Sequence, residues 1–230
     1  FIVWWLVSMV IYRTVDESLL EWALVLYATP TFIASSFLYF AFFFPSGQVS
    51  KPLSKLLIIA LSNFIVFFLT ITPGFVIKNV NQIAGAENVI IFGNFYWVYA
   101  TYISGFFSLG LILLLLKWRK SQSFMTRRQI VYLLVGYLFA STLAMLTNLI
   151  LPWFGYFELN WLGQVLTLFM VMPVAYAIFK HHLFDTKVIA TELLVFSLWI
   201  FMFTRALLSG NQQDQIINWS LFLIVLIIGF

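Results

Sequence analysis

The chain has 230 residues, of which 63% are hydrophobic and 9% are charged, and its mean hydropathy is +1.02. A soluble domain is nearer half apolar and a quarter charged, so a water-soluble fold of this length would leave too much apolar surface in water. The formal net charge is +4, but the basic residues are gathered in a few short stretches, which argues against a nucleic-acid partner. The chain has no cysteine, which excludes disulfides and cysteine metal sites.

Apolar segments long enough to cross a bilayer recur along the whole chain, since a spanning helix takes about 20 residues. We therefore predict an all-α, polytopic transmembrane bundle of about seven to eight helices, in one domain whose surroundings are the lipid bilayer. The predicted helices cover about 1–12, 19–44, 54–77, 95–116, 130–152, 160–179, 188–208 and 216–230. The first and last predicted helices lie in apolar runs at the two ends of the chain, so we interpret both helices as truncated. We therefore expect the chain to be a piece of a longer protein.

One short basic segment sets the predicted orientation. It lies between two long apolar runs and contains Lys117, Arg119, Lys120, Arg127 and Arg128. Because cytoplasmic loops are enriched in Lys and Arg, we place this segment in the cytoplasm. The loops then alternate, so that 45–55 and 180–187 also lie inside and 78–94 is the one sizeable outside loop. The last helix runs inward, and we expect whatever follows Phe230 to be cytoplasmic.

Few polar side chains fall within the predicted spans. Asn63, Asn148 and Gln164 are expected near mid-membrane, where a hydrogen bond to a neighbouring helix is the ordinary role and a small-molecule pocket is the alternative. Glu192 is either an interfacial carboxylate paired with Lys187 or a buried polar hinge. Arg205 is about 20 Å further along that helix, too far to pair with Glu192, and is expected to extend towards the outer headgroups.

Tryptophan and tyrosine gather at the ends of the predicted helices, as at Tyr96, Trp97, Trp153 and Tyr156. Amphipathic rings of this kind settle at the headgroup level of a bilayer. We therefore interpret these residues as an aromatic belt and assign none of them to a ligand.

No residue pattern predicts catalysis, a metal or a cofactor in this chain. His181 and His182 are the two histidines, and neighbouring residues on a helix point about 100° apart, so the pair does not converge on a metal ion. Phosphate-binding glycine loops and nucleophile motifs are absent from the sequence.

Four stretches taken together carry a family resemblance. They are TITPGFVI (70–77), RRQIVYLLVGY (127–137), TNLILP (147–152) and YAIFKHHLFDTKVIATELL (176–194). In this order and spacing they resemble the seven-helix N-terminal membrane region of bacterial sensor histidine kinases. The last stretch is the most specific, because a Tyr-Ala-Ile, a basic group and Leu-Phe-Asp end the sixth helix in many such proteins.

The resemblance implies the membrane-embedded, signal-sensing input region of a two-component system in the bacterial cytoplasmic membrane. The phosphoacceptor and ATP-binding domains of such a kinase are not in this chain, so no catalytic residue carries over to it. A homodimer through the missing cytoplasmic region and a response regulator are the implied protein partners. We expect signal coupling at Glu192 and at the connector residues His181, His182, Asp185 and Lys187.

Three other functions remain open on the residues alone. A multi-pass transporter or channel subunit is the main alternative, in which Asn63, Asn148 or Gln164 would contact the substrate. An integral-membrane enzyme acting on lipid would use the group of His181, His182 and Asp185. An assembly protein without a ligand is the third.

Overall fold

Helices make up most of the chain in the computed structural model. It describes residues 1–14, 18–45, 52–81, 88–181, 195–199, 202, 219–223 and 225. The chain divides into two units, Phe1–Tyr176 and Ala177–Phe230. In the second unit residues 195–199 and 219–223 are helical, and the Trp199 indole donates a 3.2 Å hydrogen bond to the Val225 carbonyl.

Within the described residues, four helices are long and apolar enough to cross a membrane: Leu19–Phe43, Leu53–Ile71, Tyr96–Lys120 and Phe124–Trp153. The predicted fold class, a polytopic helical membrane protein, is confirmed. In chain order the described elements are α1 (Ile2–Thr14), α2 (Leu19–Phe43), α3 (Pro52–Ile71), β1 (Ile77–Asn81), β2 (Val89–Phe92), α4 (Tyr96–Lys120), α5 (Phe124–Met145), a π-helical segment (Leu146–Ile150), α6 (Leu151–Trp153) and α7 (Leu162–His181).

Helix α2 lies at the centre of the first unit and packs against α1, α3 and α4. Its buried face carries several alanines, which allow neighbouring helices to approach closely in a bilayer. Gly110 of α4 faces the Phe37 ring of α2, and a methyl group at this glycine would overlap that ring. Small residues on one helix and an aromatic ring on the other therefore determine the α2–α4 contact.

Helix α3 ends at Ile71 and does not continue to about residue 77. The residue before a proline disfavours helical backbone, and Pro73 follows two positions later. Gly74 then has φ +94°, a conformation that side chains strongly disfavour. The chain turns there, and its next residues are available for the hairpin.

The segment predicted only as an outer loop contains an antiparallel hairpin, in which β1 pairs with β2 and a bulge lies between Ile77 and Asn79. Val76, Ile77 and Ile90 are buried, and β1 contacts α2. Gly93 lies directly against the backbone, since a methyl group there would overlap the Phe75 carbonyl oxygen. The hairpin therefore belongs to the core of the first unit.

Candidate functional site

A π-helical segment, Leu146–Ile150, interrupts the long apolar helix Phe124–Trp153 shortly before Pro152. Proline has no N–H, so Pro152 does not donate to the carbonyl of Asn148 four residues earlier. The helix widens, and the Leu151 N–H donates to the Leu146 carbonyl five residues back. Single π-helical turns of this kind occur frequently at functional sites.

The widened turn is held by a side chain from α4. The Tyr96 hydroxyl donates a 2.7 Å hydrogen bond to the Leu149 carbonyl, and Tyr96 is 2% exposed. The same ring stacks on Phe92 of β2 with a centroid distance of 3.9 Å. One buried tyrosine thus links α4, the hairpin and the π-helical segment.

Asn148, predicted from its intramembrane position, lies on this segment. Its Nδ2 donates to the Ala144 carbonyl at 3.3 Å and to the Thr147 hydroxyl oxygen at 2.9 Å. The amide packs against Gly163 of α7, where a methyl group would overlap it. Among the described residues no donor reaches the Asn148 Oδ1. Both amide protons are therefore used, while the carbonyl oxygen is left to accept.

A cavity of about 90 Å³ adjoins this asparagine. Helices α1, α2, α4, α5 and α7 contribute to its lining. The walls are mainly apolar and include Trp5, Pro30, Ile103 and Met145. Ser141 also lines the cavity, and its hydroxyl donates to the Leu138 carbonyl at 3.5 Å. We take the cavity and the π-helical segment together as the candidate site.

Asn63 lies elsewhere, between three helices. The Tyr102 hydroxyl of α4 lies 3.4 Å from Asn63 Oδ1 of α3 and 3.5 Å from the Thr31 carbonyl of α2. Asn63 is 8% exposed and is not among the residues that line the cavity. Its side-chain oxygen therefore serves a contact between helices.

The basic segment contacts the end of α2. The Lys117 ammonium donates to the carbonyls of Ala41 at 2.8 Å and Phe42 at 2.7 Å, and also to that of Phe44. The last carbonyls of a helix lack intrahelical partners and carry partial negative charge, so a cation is favourable there. The α2–α3 and α4–α5 connections consequently lie at the same end of the first unit.

Aromatic rings lie beside three other cations of this end. The Arg127 guanidinium is 5.2 Å from the Trp118 ring centroid, and the Arg128 guanidinium is 4.2 Å from that of Phe124. Lys55 lies 5.2 Å from the Phe42 ring. Arg119 and Lys120 are exposed. Arg127 and Arg128 are exposed as well, so the basic segment combines one half-buried cation at a helix end with four exposed cations, two of which lie beside aromatic rings.

The remaining predicted residues are not brought into this site by the described structure. Gln164 and His181 belong to α7, in which only their backbone is described. Five others lie outside the described residues: His182, Asp185, Lys187, Glu192 and Arg205. Within the described part of the chain no group of three His, Cys, Asp or Glu side chains is arranged for a metal ion.

Residues 1–187 match the family model described as the N-terminal 7TM region of histidine kinase. The chain belongs to this histidine kinase 7TM family. The resemblance inferred from its four sequence stretches is confirmed, and the chain is a multi-pass membrane protein. Neither the curated proteins nor the solved structures contain a match to it.

For this 7TM region, the sequence pointed to Asn148 but not to Tyr96, Tyr102 or Ser141. Tyr96 belongs to the predicted aromatic belt and is buried against other parts of the protein, whereas Trp97, Trp153 and Tyr156 are more than half exposed. Pro152 was the available signal for an irregular helix, because a proline removes a backbone donor. The tyrosine hydroxyl that bonds the Leu149 carbonyl lies 53 residues earlier in the chain, where no local pattern could identify it.

Proposed function

We propose that this chain is the signal-sensing input region of a two-component sensor histidine kinase in the bacterial cytoplasmic membrane. The observation that carries the proposal is the family match over residues 1–187. A cavity beside a widened helical turn supports it, because a site that can be empty or filled is a place where a stimulus can change helix packing.

The proposed orientation has the basic segment and the C-terminus in the cytoplasm. The Lys and Arg bias of the loops supports it. The contact between Lys117 and the end of α2 is consistent with it, since it groups two basic loops at one end of the bundle. Reporter fusions test the orientation: an insertion at 121–123 should give a cytoplasmic signal and one at 82–87 an external signal. The reverse pattern would overturn it.

The proposed signal is a change in the relative free energies of two bundle packings. Along the chain, α7 leads into the connector with His181, His182, Asp185 and Lys187, and then to Glu192. A coupling free energy of about 1–3 kcal/mol corresponds to a change in output of about 5- to 150-fold. The output would reach a response regulator through a dimeric cytoplasmic kinase.

The test starts from the coding DNA downstream of Phe230. A continuation into a cytoplasmic helix, a histidine phosphoacceptor motif and an ATP-binding domain is the expected result. A stop codon or further transmembrane helices would refute the proposal and favour a transporter or channel subunit. The full-length protein in nanodiscs should then phosphorylate itself from labelled ATP and transfer the phosphoryl group to its response regulator.

The same assay tests the coupling residues. Glu192→Gln should change autophosphorylation by about fivefold or more, because it removes a charge from the proposed coupling helix. Glu158→Gln is the matched control, since Glu158 is exposed in the first unit. Equal activities of the two variants and the parent protein would remove Glu192 from the mechanism but leave the family assignment intact.

A further inference from the structure

We infer that the cavity binds a small, neutral, mainly apolar molecule that carries a hydroxyl group. The inference rests on the proposed function for its biological purpose, because such a molecule would be a stimulus. The binding itself depends only on the lining of the cavity and on the hydrogen bonds that this lining leaves unmade.

The walls determine the apolar part of the ligand. The cavity of about 90 Å³ is smaller than the roughly 150 Å³ of an engineered apolar cavity that holds benzene, so it accommodates a short alkyl group. Ile33 and Phe107 line it and are only half-buried, so the cavity is not sealed and a longer chain can extend outwards. Filling it restores the dispersion contacts that the lining atoms lack when it is empty.

The lining also determines the charge of the ligand. Among the described residues that line the cavity there is no Lys, Arg, Asp, Glu or His. A carboxylate, phosphate or ammonium group placed there would lose its hydration without gaining an opposite charge, which is strongly unfavourable. The ligand is therefore neutral, and this excludes lipid phosphates and fatty acid anions as the group held inside.

The hydrogen bonds of Asn148 and Ser141 determine the polar group. Both donors of the Asn148 amide are used within its own helix, while no described donor reaches its Oδ1. The Ser141 hydroxyl proton is directed to the Leu138 carbonyl, so its oxygen is likewise left as an acceptor. Tyr99 and Tyr137 also line the cavity, and their hydroxyls can donate. A hydroxyl at the end of an alkyl chain is the neutral group that can both donate to the Asn148 and Ser141 oxygens and accept from a tyrosine hydroxyl.

The experiment uses the full-length protein in phosphatidylcholine nanodiscs and two photoreactive probes. One is an aliphatic diazirine alcohol, and the other is the matched diazirine alkane without the hydroxyl. Mass spectrometry of the labelled peptides should show alcohol labelling at cavity residues that exceeds alkane labelling by about fivefold, the value of one hydrogen bond of about 1 kcal/mol. Equal labelling by the two probes would overturn the hydroxyl assignment.

Three variants control this measurement. Asn148→Leu should reduce alcohol labelling to the alkane level, whereas Asn63→Leu, which changes an intramembrane asparagine outside the cavity, should leave it unchanged. Ala140→Leu fills the cavity from a buried position on α5 and should abolish labelling by both probes. If Asn148→Leu does not fold, Ala140→Leu still decides whether the labelled site is this cavity. Labelling that persists in Ala140→Leu would overturn the inference.

Competition experiments distinguish two possible sources of the hydroxyl-bearing ligand, the membrane and the water phase. Displacement of the probe by diacylglycerol in the nanodisc would identify a membrane lipid with a free hydroxyl, and displacement by hexanol alone would identify a water-borne alcohol. Because labelling does not require phosphorylation, a protein that binds the alcohol but lacks kinase activity would refute the proposed function and not this inference. An active kinase whose cavity is not labelled would refute this inference and leave the proposed function intact.

Discussion

The hydroxyl of Tyr96 donates a 2.7 Å hydrogen bond to the main-chain carbonyl of Leu149, 53 residues away in sequence. Leu149 belongs to the π-helical segment that precedes Pro152, and a widened turn leaves backbone groups in need of partners. In the apolar interior of a membrane protein the alternative to this bond is a buried, unsatisfied carbonyl. The tyrosine therefore stabilises the irregular turn on which Asn148 lies.

Tyr96→Phe should lower the free energy of unfolding by about 1–3 kcal/mol, because the Leu149 carbonyl would lose its donor while remaining buried. Thermal unfolding of the purified protein in detergent measures the change. Tyr156→Phe is the control, since Tyr156 is 65% exposed, and it should leave the melting temperature unchanged. Equal melting temperatures of the two variants would show that the carbonyl has another donor.

Lys117→Met should destabilise the protein by about 1.5–3 kcal/mol, the range for hydrogen bonds to charged groups. The variant removes the cation that binds the carbonyls of Ala41, Phe42 and Phe44 at the end of α2. Lys120→Met removes the same charge from the same basic segment but from an exposed position. Lys120→Met should lower the free energy of unfolding by less than about 0.5 kcal/mol, as is usual for surface substitutions. Chemical denaturation in mixed micelles compares the two, and equal losses would show that only the charge of the loop matters.

Gly163→Ala should displace the Asn148 amide, because the added methyl group would occupy the position of that side chain. We expect a loss of stability of about 1–3 kcal/mol from this overpacking. Alcohol binding at the cavity should weaken as well, which the photolabelling assay measures.

Gly105→Ala is the matched helical control for this substitution. A Cβ at Gly105 has no heavy atom within 4 Å, so the protein should keep its stability or gain up to about 1 kcal/mol from the lower entropy of the unfolded chain. Loss of stability in both variants would point to a general effect of glycine replacement and would contradict the specific overlap.

Asn63→Leu should lower the free energy of unfolding by about 0.6 kcal/mol and by no more than about 1.7 kcal/mol, the average and the maximum measured for hydrogen bonds between membrane helices. The bond concerned joins Asn63 to the Tyr102 hydroxyl. In a double-mutant cycle with Tyr102→Phe, the combined loss should be smaller than the sum of the two single losses, because both variants remove the same bond. Additive losses would mean that the two side chains do not interact.

The amino-acid sequence by itself determined the membrane class, the helical fold and the family. These follow from local features: lipid leaves backbone groups no external partner, so long apolar runs become helices, and the four motif stretches can be recognised without knowing their contacts. The basic segment also predicted which connections share an end, and the contact of Lys117 with the end of α2 agrees with that grouping.

Only the tertiary structure decided where the hairpin, the π-helical turn and the cavity lie. Each depends on groups far apart in sequence: Tyr96 with Leu149, Asn148 with Gly163, and β1 with α2. The position of Tyr96 at a helix end predicts a place in the aromatic belt. Its stacking on Phe92 and its hydrogen bond to the Leu149 carbonyl became known only from the structure. A local pattern records how apolar a residue is, whereas its hydrogen-bond partner depends on which helices pack together.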